Sequence, residues 1–468
     1  MSIRKYSYRI ILFTVIISFF ASCSDDSSNQ VIEDHQLVEN KDSEIIYDWY
    51  EMYLDVEKDL FDFRPNPTSR ALGYIGIAAY EACLPGMTEY LSIDNYLSDY
   101  ITPSPNPYNE FYWSTVIENE YYWDIVLNQT YYRMFDHFLI NVPNNQRENI
   151  EALYNANIEK LIVKISEFGF NSATERANIV SDAVIAYARS DREGTDQVRE
   201  VTPISYNPPG GVGFWQPTSP DFRNACHPYW NRVRTFITPP GDVSLQDHTP
   251  YSEEEDSEFY RQALEVYNAT SNLEYDDRWI AEFWSDDIVG ITFSPPARQI
   301  AIANQLIELD QSNMEKSLRL YLRLGMGLND ASVVCWGAKY EYNLERPVDY
   351  IRRLIDPNFS PILGDAVGVT GQNPNFPAYP SGHATFGGIG ASVFNMYFPQ
   401  ITEFTDRCHE DETLFIGDPR SFDSFDQMAK ENADSRIPLG VHFQMDCDEG
   451  LRIGNNVGDF ITGFTLER

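Results

Sequence analysis

The 468-residue sequence predicts an all-α fold made of two packed helical bundles. Apolar residues recur every three to four positions in eight segments, which is the spacing of one helix face, whereas alternating, strand-like runs are rare. A hydrophobic content of 43% and an aromatic content of 14% provide a sizeable buried core. The predicted helices cover residues 69–82, 146–168, 173–190, 253–267, 277–284, 297–309, 313–340 and 384–397.

Proline- and glycine-rich connectors separate these helical segments. They lie at residues 203–220, 237–241, 355–380 and 416–420. The stretch 237–256, where an acidic run follows Pro239-Pro240-Gly241, divides the helical domain 46–468 into halves of roughly 46–240 and 255–468. All the chemically informative motifs described below fall in the second half.

The N-terminus predicts a targeting segment that precedes the fold. A basic start, an apolar core at 10–20 and Cys23 resemble a bacterial lipoprotein signal, with cleavage after residue 22 and lipid attached to Cys23. Phe20 departs from the usual leucine, so ordinary cleavage or an uncleaved anchor stays open. Residues 23–45 are predicted to be a flexible tether. We expect a bacterial envelope protein at the outer membrane or cell surface, otherwise periplasmic or secreted, that contacts membrane only through this lipid.

Charge and cysteine content exclude several classes of partner. A formal net charge of -37 argues against nucleic acids, because a phosphate backbone would be repelled. After the N-terminus no apolar run approaches the ~18 residues that a membrane helix needs. A zinc site is not expected, because no C-x2-C pair occurs. The cysteines after Cys23 are odd in number, which leaves at least one outside any intrachain disulfide: Cys83, Cys226, Cys335, Cys408 and Cys447.

Three motifs near the C-terminus concentrate basic and imidazole groups in this acidic chain. Together they offer three cations, a hydroxyl, a glycine amide and two imidazoles, a set suited to binding and activating a phosphate-like oxyanion. Each motif alone is weak, but their ordered occurrence makes chance agreement remote. They read Lys339-x6-Arg346-Pro347, then Pro380-Ser381-Gly382-His383, then Ser435-Arg436-x5-His442-x3-Asp446.

The spacing predicts how each motif is presented. Lys339 and Arg346, seven apart, would share one face of a helix that Pro347 ends or kinks. Ser381 and Gly382 precede an apolar helical segment, so they would lie at a helix N-terminus, where free amides favour an anion. The pair formed by His442 and Asp446 has the spacing of helix neighbours four residues apart. We therefore predict a carboxylate beside the imidazole.

At these residues the chain resembles the superfamily of vanadium-dependent haloperoxidases, type-2 phosphatidic-acid phosphatases and bacterial acid phosphatases. The resemblance implies that vanadate is the cofactor and that His442 is its axial ligand, or the nucleophile in a phosphatase. It implies that His383 is the acid-base residue. The same resemblance assigns the remaining oxyanion contacts to Lys339, Arg346, Arg436, Ser381 and Gly382, and it implies a catalytic role for Lys339 in activating bound peroxide.

Neighbouring residues favour the haloperoxidase branch. The extended run 376–388 is similar to the haloperoxidase form of the second motif, and Trp336 and Phe376 resemble pocket walls of fungal-type chloroperoxidases. The implied reaction oxidises halide with hydrogen peroxide to hypohalite, which halogenates an organic acceptor. A histidine phosphatase acting on a phosphomonoester is the alternative, and a non-catalytic anion-binding lipoprotein is a third. Oligomeric state stays open.

Halide preference is predicted to be iodide, then bromide, with negligible chloride turnover. Iodide needs the least activation, and iodide-specific members occur among bacterial enzymes of this family. Tyr340, Tyr342 and Glu345 are expected on the acceptor side of the pocket, where chloride oxidation would favour more hydrophobic residues. No second histidine is expected in the pocket, because the next histidine after His383 is His409, which lies in a different and polar segment.

Overall fold

The computed structural model describes residues 37–97, 122–163, 165–286 and 288–468. The predicted signal 1–22, Cys23 and the tether up to residue 36 lie outside the described residues. Within the described ranges there are fourteen α-helices. They are α1 Glu44–Glu57, α2 Asn66–Cys83, α3 Trp123–Phe138, α4 Asn144–Ile162, α5 Glu167–Ser190, α6 Arg192–Arg199, α7 Glu258–Ser271, α8 Tyr275–Phe283, α9 Pro295–Asp310, α10 Met314–Tyr342, α11 Pro347–Leu354, α12 Gly382–Tyr397, α13 Phe425–Asp434 and α14 Gln444–Gly463.

The all-α prediction is confirmed. The described strands are β1 Phe404–Asp406 and β2 Arg420–Phe422, an antiparallel pair in which Thr405 faces Ser421. The predicted helix 146–168 is two helices, because α4 ends at Ile162 and Ser166 caps α5. Residues 37–45, predicted as the end of the tether, instead hold a 3-10 turn at Val38–Asn40, in which Val38 is buried, and the first residues of α1.

Six helices escaped the sequence prediction: α1, α3, α6, α11, α13 and α14. The apolar residues of α1 and α13 do recur at helical spacing, although these two helices were not predicted. Those of α3 and α14 do not form a narrow stripe. In α3, buried residues occur on most of the helix surface, and in α14 glycines occupy several of the buried positions. The two eight-residue helices α6 and α11 are too short to show a repeating pattern.

Glycine contacts hold the central helices at short range. α2 packs along α10, and α12 packs against both α14 and α13. A Cβ at Gly325 would lie 2.4 Å from the Leu72 carbonyl oxygen, and one at Gly454 would lie 2.3 Å from the Thr385 carbonyl oxygen. Only glycine allows such backbone approach. The α12–α14 contact matters most for function, because the second and third motifs lie at the N-terminal ends of these helices.

One hydrophobic core includes residues from both predicted halves. Ile75 of α2 and Leu324 of α10 are buried in the same cluster. The predicted division near residues 237–256 stays a prediction. Among the residues that the structure describes, no helix combines the length and apolar character required to cross a membrane.

Candidate active site

Lys339 and Arg346 reach the site from two different elements. α10 ends at Tyr342, and Asn343 takes a left-handed conformation with φ 49°. Arg346 then caps the N-terminus of α11, whose first residue is Pro347. The prediction of one helix carrying both cations is therefore wrong, because the left-handed turn ends the helix before Arg346 and proline starts the next one. Both side chains are nevertheless fully buried in the same region.

Backbone carbonyl groups hold the two cations. The Lys339 ammonium donates to the carbonyl oxygens of Pro377 at 3.0 Å and Ala378 at 3.1 Å, and also to that of Pro380. Arg346 donates from Nε to the Phe376 carbonyl oxygen at 2.9 Å and from Nη1 to the Val441 carbonyl oxygen at 2.8 Å. These bonds fix the position of each cation without neutralising its charge.

The second motif lies where the sequence predicts it. Ser381 is the N-cap of α12 and Gly382 is the first helical residue, so the free amides of this helix end face the cavity that holds His383. A Cβ at Gly382 would lie 3.2 Å from the Trp336 ring. The glycine therefore lets the indole pack directly against the helix end.

His442 is oriented by the predicted carboxylate, but from a different local structure. It precedes α14, whose N-cap is Phe443, so His442 and Asp446 are not neighbours within one helix. The His442 Nδ1 atom lies 2.9 Å from Asp446 Oδ2, which also accepts from the Phe443 amide at 3.0 Å. With its proton on Nδ1 donated to the carboxylate, the ring leaves Nε2 as an acceptor. Arg346 Nη1 lies 3.2 Å from that Nε2.

Burial and mutual repulsion both disfavour the charged forms of the basic residues in this cluster. Burial, and then the neighbouring Arg346, lower the pKa of Lys339 to about 7, although the nearby Cys335 and Asp446 act in the opposite direction. Burial also lowers the pKa of Arg346 to about 9. Arg436 is buried as well and donates to the Trp284 carbonyl oxygen at 2.8 Å. Three cations thus lie close together in a dry environment.

The two histidines are kept neutral. Burial, and to a smaller extent the surrounding cations, lower the pKa of both His383 and His442 well below the usual range. Burial raises the pKa of Asp446 to about 7. A bound anion would reverse the balance for the cations, because an opposite charge favours the protonated form.

A cavity of about 470 Å³ opens onto these groups. Its wall contains six of the residues predicted for the site or its pocket: Trp336, Phe376, Gly382, His383, Arg436 and His442. Lys339, Arg346 and Ser381 lie directly behind that wall, through the contacts given above. Polar atoms of Arg346 Nη2, His383 Nε2 and Trp336 Nε1 are buried without a hydrogen-bond partner. Such atoms mark where a polar ligand is missing.

Three residues expected at the acceptor side do not line this cavity. The Tyr340 hydroxyl donates to the Cys226 carbonyl oxygen at 2.6 Å, and the Tyr342 hydroxyl donates to Asp247 at 3.0 Å. Glu345 pairs with Arg353 at 2.9 Å. That expectation was wrong: Tyr340 and Tyr342 lie on the last turn of α10, Glu345 follows the turn at Asn343, and all three make their contacts outside the cavity wall. His409, expected in a polar segment, is instead buried and stacks on Phe293.

Loops from both halves supply wall residues that sequence reasoning missed. Arg223 and Cys226 come from the connector before α7, and Asp286 follows α8. These residues belong to no recognisable motif, and only the fold brings them to the cavity. Residues 203–220 were recognised as a connector, but nothing in their composition places the following residues beside His442.

The donor set is that of an anion site. In the described part of the chain, no group of three or more His, Cys, Asp or Glu could hold a metal ion. The ligating groups are instead cations, amides and one oriented imidazole. Residues 319–467, which contain every predicted oxyanion contact, match the model of the VCPO second helical-bundle domain.

Comparison with known proteins agrees over most of the chain. The sequence is 24% identical to the vanadium chloroperoxidase of Curvularia inaequalis over an alignment 470 positions long, gaps included, which covers 82% of this chain and 75% of that protein. The crystal structure described as the first bacterial vanadium-dependent iodoperoxidase superposes with a TM-score of 0.77 at 25% identity, covering 92% of this chain and 98% of that one. In its second helical-bundle domain, its sequence and its fold, the chain is thus similar to vanadium-dependent haloperoxidases.

A second solved haloperoxidase shares the fold at lower identity. The holo form of a bacterial vanadium-dependent chloroperoxidase superposes with a TM-score of 0.66 at 15% identity, over 87% of this chain and 93% of that one. The high coverage shows that the helical architecture is common to these haloperoxidases across both predicted halves, and is not confined to the C-terminal motifs.

Proposed function

We propose that this protein is a vanadate-dependent haloperoxidase that oxidises halide with hydrogen peroxide. One observation supports this most directly. Three buried cations surround a neutral, oriented His442, while Arg346 Nη2 and His383 Nε2 lack partners. A tetrahedral oxyanion would satisfy these groups and offset the burial, and then the repulsion by Arg346, that lower the pKa of Lys339.

The residues present fit vanadate. His442 would bind it through Nε2, with Lys339, Arg346 and Arg436 against its oxygens and the Ser381 hydroxyl and Gly382 amide as further donors. When bound, vanadate supplies a Lewis acid that activates hydrogen peroxide for attack by halide. Asp446 keeps His442 in the tautomer that leaves Nε2 available. The buried cations also draw anions into an otherwise acidic protein.

His383 is the residue placed to move a proton. Its Nε2 atom has no partner within the described protein, and the side chain lines the cavity. A bound anion would raise the pKa of this imidazole, which burial and then the adjacent cations hold low. His383 would then accept a proton from entering peroxide. His383→Ala should reduce kcat more than it reduces vanadate affinity, measured by steady-state kinetics and equilibrium dialysis.

Iodide is the proposed preferred halide, followed by bromide, with negligible chloride turnover. The bacterial iodoperoxidase structure supports this choice, since it combines 25% identity with coverage of nearly the whole chain.

The decisive experiment reconstitutes the purified protein with vanadate. Initial rates are then measured for iodide, bromide and chloride at one peroxide concentration, and hydrolysis of a phosphomonoester is measured with vanadate-free protein. We expect halide oxidation that depends on vanadate, fastest for iodide. Comparable chloride turnover would contradict the halide order alone. Phosphomonoester hydrolysis without halide oxidation would replace the haloperoxidase with the phosphatase alternative.

We also propose that Cys23 carries a lipid that anchors the protein in the bacterial envelope, with residues 1–22 removed as a signal peptide. The basic start, the short apolar core and the cysteine support this. Metabolic labelling with a palmitate analogue should mark the wild-type chain and leave Cys23→Ala unlabelled. Labelling of both proteins would contradict the proposed attachment site.

A further inference from the structure

Cys226 occupies an unusual position for a cysteine of this protein. It lies in the wall of the cavity that also contains His383 and His442, and its side chain is 5% exposed. Among the cysteines in the described residues, Cys83, Cys335 and Cys447 are completely buried and line none of this cavity. Burial raises the pKa of each of these three thiols. They are therefore poor nucleophiles.

A short series of contacts links Cys226 to the candidate vanadium ligand. The Cys226 amide donates to the Asn375 carbonyl oxygen at 2.9 Å. The carbonyl oxygen of the next residue, Phe376, accepts from Arg346 Nε at 2.9 Å, and Arg346 Nη1 lies 3.2 Å from His442 Nε2. The thiol thus borders the space in which an oxidised halide would be released.

His227 holds the thiol in place. Its Nδ1 atom lies 3.2 Å from Cys226 Sγ, and its ring is fully buried against Trp230, with centroids 4.8 Å apart. Burial lowers the pKa of His227 to about 3, so the ring stays neutral and accepts from the thiol. The backbone of His227 has φ 52°, a conformation that non-glycine residues rarely adopt and that costs free energy.

Two further groups show that the cavity beside Cys226 is built for a polar occupant. Trp336 Nε1 and Asp286 Oδ2 are buried without a hydrogen-bond partner, and both side chains line the cavity. Trp336 is 1% exposed and Asp286 is 2% exposed. A small molecule with both donor and acceptor capacity, such as a hypohalous acid, would match them.

We propose that Cys226 is a modification site at which the hypohalous acid made in this cavity oxidises the protein, an inference that rests on the proposed haloperoxidase function. The thiol sulfur attacks the halogen, the halogen–oxygen bond breaks, and the thiol proton joins the departing hydroxide to form water. Water then hydrolyses the sulfur–halogen bond, giving a sulfenic acid, halide and a proton. Sulfur is oxidised, the halogen is reduced to halide, and His227 acts as a positioning residue.

The consequence is a built-in sensor of uncaptured product. When the organic acceptor is abundant, hypohalous acid leaves the cavity or reacts with that acceptor. When the acceptor is scarce, Cys226 is the nearest reactive thiol, and its oxidation adds a polar group to the wall beside Phe376. Sulfenic acids are reversed by thiols, so the modification can be removed.

The test uses the vanadate-loaded full chain with iodide and peroxide, and free methionine to remove hypoiodous acid that reaches bulk solvent. Dimedone is added only after catalase has stopped turnover, so that it traps sulfenic acid without serving as a halogen acceptor. Peptide mass spectrometry then compares Cys226 with Cys408, a partly exposed thiol outside the cavity wall. We expect Cys226 to carry on the order of tenfold more adduct than Cys408, because thiol oxidation follows access to the oxidant and local environment. Omitting iodide or vanadate should abolish the difference.

Three variants separate reactivity from folding. Cys226→Ser should extend the number of turnovers before inactivation in the absence of acceptor, whereas the matched Cys408→Ser should not. His227→Gln should reduce the adduct at Cys226, judged against unchanged far-UV circular dichroism. Iodide oxidation without preferential labelling of Cys226 would overturn this inference alone. A vanadate-loaded protein that oxidises no halide would overturn the proposed function and this inference with it.

Discussion

Two buried arginines, each beside a histidine, have opposite roles in this protein. Arg298 is fully buried, but Asp286 at 3.2 Å and Asp406 at 2.7 Å pair with it, and its Nη1 atom lies 2.7 Å from His409 Nε2. These carboxylates raise the pKa of Arg298 above its usual range despite burial. Arg346 beside His442 has no such pair, and burial lowers its pKa to about 9.

The difference indicates which of the two arginine clusters lacks a compensating negative charge. Around Arg298 the protein supplies two carboxylates itself, so the charge of that arginine is compensated within the protein. Around Arg346, Asp446 is already engaged by His442 and by the Phe443 amide. The remaining negative charge must come from a ligand. Each prediction below therefore treats the Arg298 cluster as a control for the Arg346 cluster.

The largest effect is expected at His442, with His409 as its control. His442→Ala should eliminate tight vanadate binding and halide oxidation, because no other described imidazole is oriented towards the cations by a carboxylate. His409→Ala should leave vanadate affinity close to wild type, since His409 contacts Arg298 and not the oxyanion cluster. Equilibrium dialysis measures both. Stoichiometric binding by His442→Ala would show that the imidazole is not the ligand.

Replacing the compensated arginine should chiefly affect folding. Arg298→Met leaves Asp286 and Asp406 buried without their cation, and such loss costs about 3–5 kcal/mol of unfolding free energy. Urea denaturation followed by circular dichroism measures it. A change no larger than that of an exposed-site variant such as Arg261→Met would mean that water or a proton already neutralises these carboxylates.

Replacing the uncompensated arginine should chiefly affect ligand binding. Arg346→Met removes a charge-assisted contact, so vanadate affinity should fall by about 1.5–3 kcal/mol. The vanadate-free protein should lose less stability than Arg298→Met, because the substitution also relieves repulsion with Lys339 and Arg436. Arg346→Lys should recover part of the affinity. A larger stability loss than that of Arg298→Met would reverse the comparison drawn here.

The smallest expected effect is the uptake of a proton when an anion binds. In the anion-free protein the pKa of Lys339 is about 7, and a bound anion raises it. At pH 8 Lys339 therefore changes from mostly neutral to charged when an oxyanion binds. Binding should take up as much as about one proton at pH 8 and fewer at pH 6. Calorimetry with tungstate in two buffers of different ionisation enthalpy measures the uptake, and Lys339→Met should reduce it.

Prediction from sequence succeeded where local chemistry determines the outcome. The N-terminal position of Ser381 and Gly382 follows from the apolar run after them, and the contact of His442 with Asp446 follows from short separation. The prediction failed where a single residue in a left-handed conformation changes the direction of the chain. The left-handed Asn343 separates Lys339 from Arg346.

The rest of the site depends on contacts between distant segments. Cys226 and Asp286 lie far from the motifs in sequence, and neither has neighbours that identify a site. Their positions follow from the packing of connectors over α10 and from the bond between the Cys226 amide and the Asn375 carbonyl oxygen. Without an alignment or a fold, periodicity and composition contain no information about such pairs.

The glycine contacts between α12 and α14 set the distance between the two halves of the oxyanion cradle. A Cβ at Gly450 would lie 2.3 Å from the Ser381 carbonyl oxygen, which belongs to the same peptide group as the Gly382 amide. The Ser381 amide also donates to the Asp446 carbonyl oxygen at 2.8 Å. The helix ends that present Ser381 and His442 are thus locked together before any ligand arrives. Such preorganisation spares the binding step the cost of ordering its own donors, and it makes the cradle selective for the size of the anion.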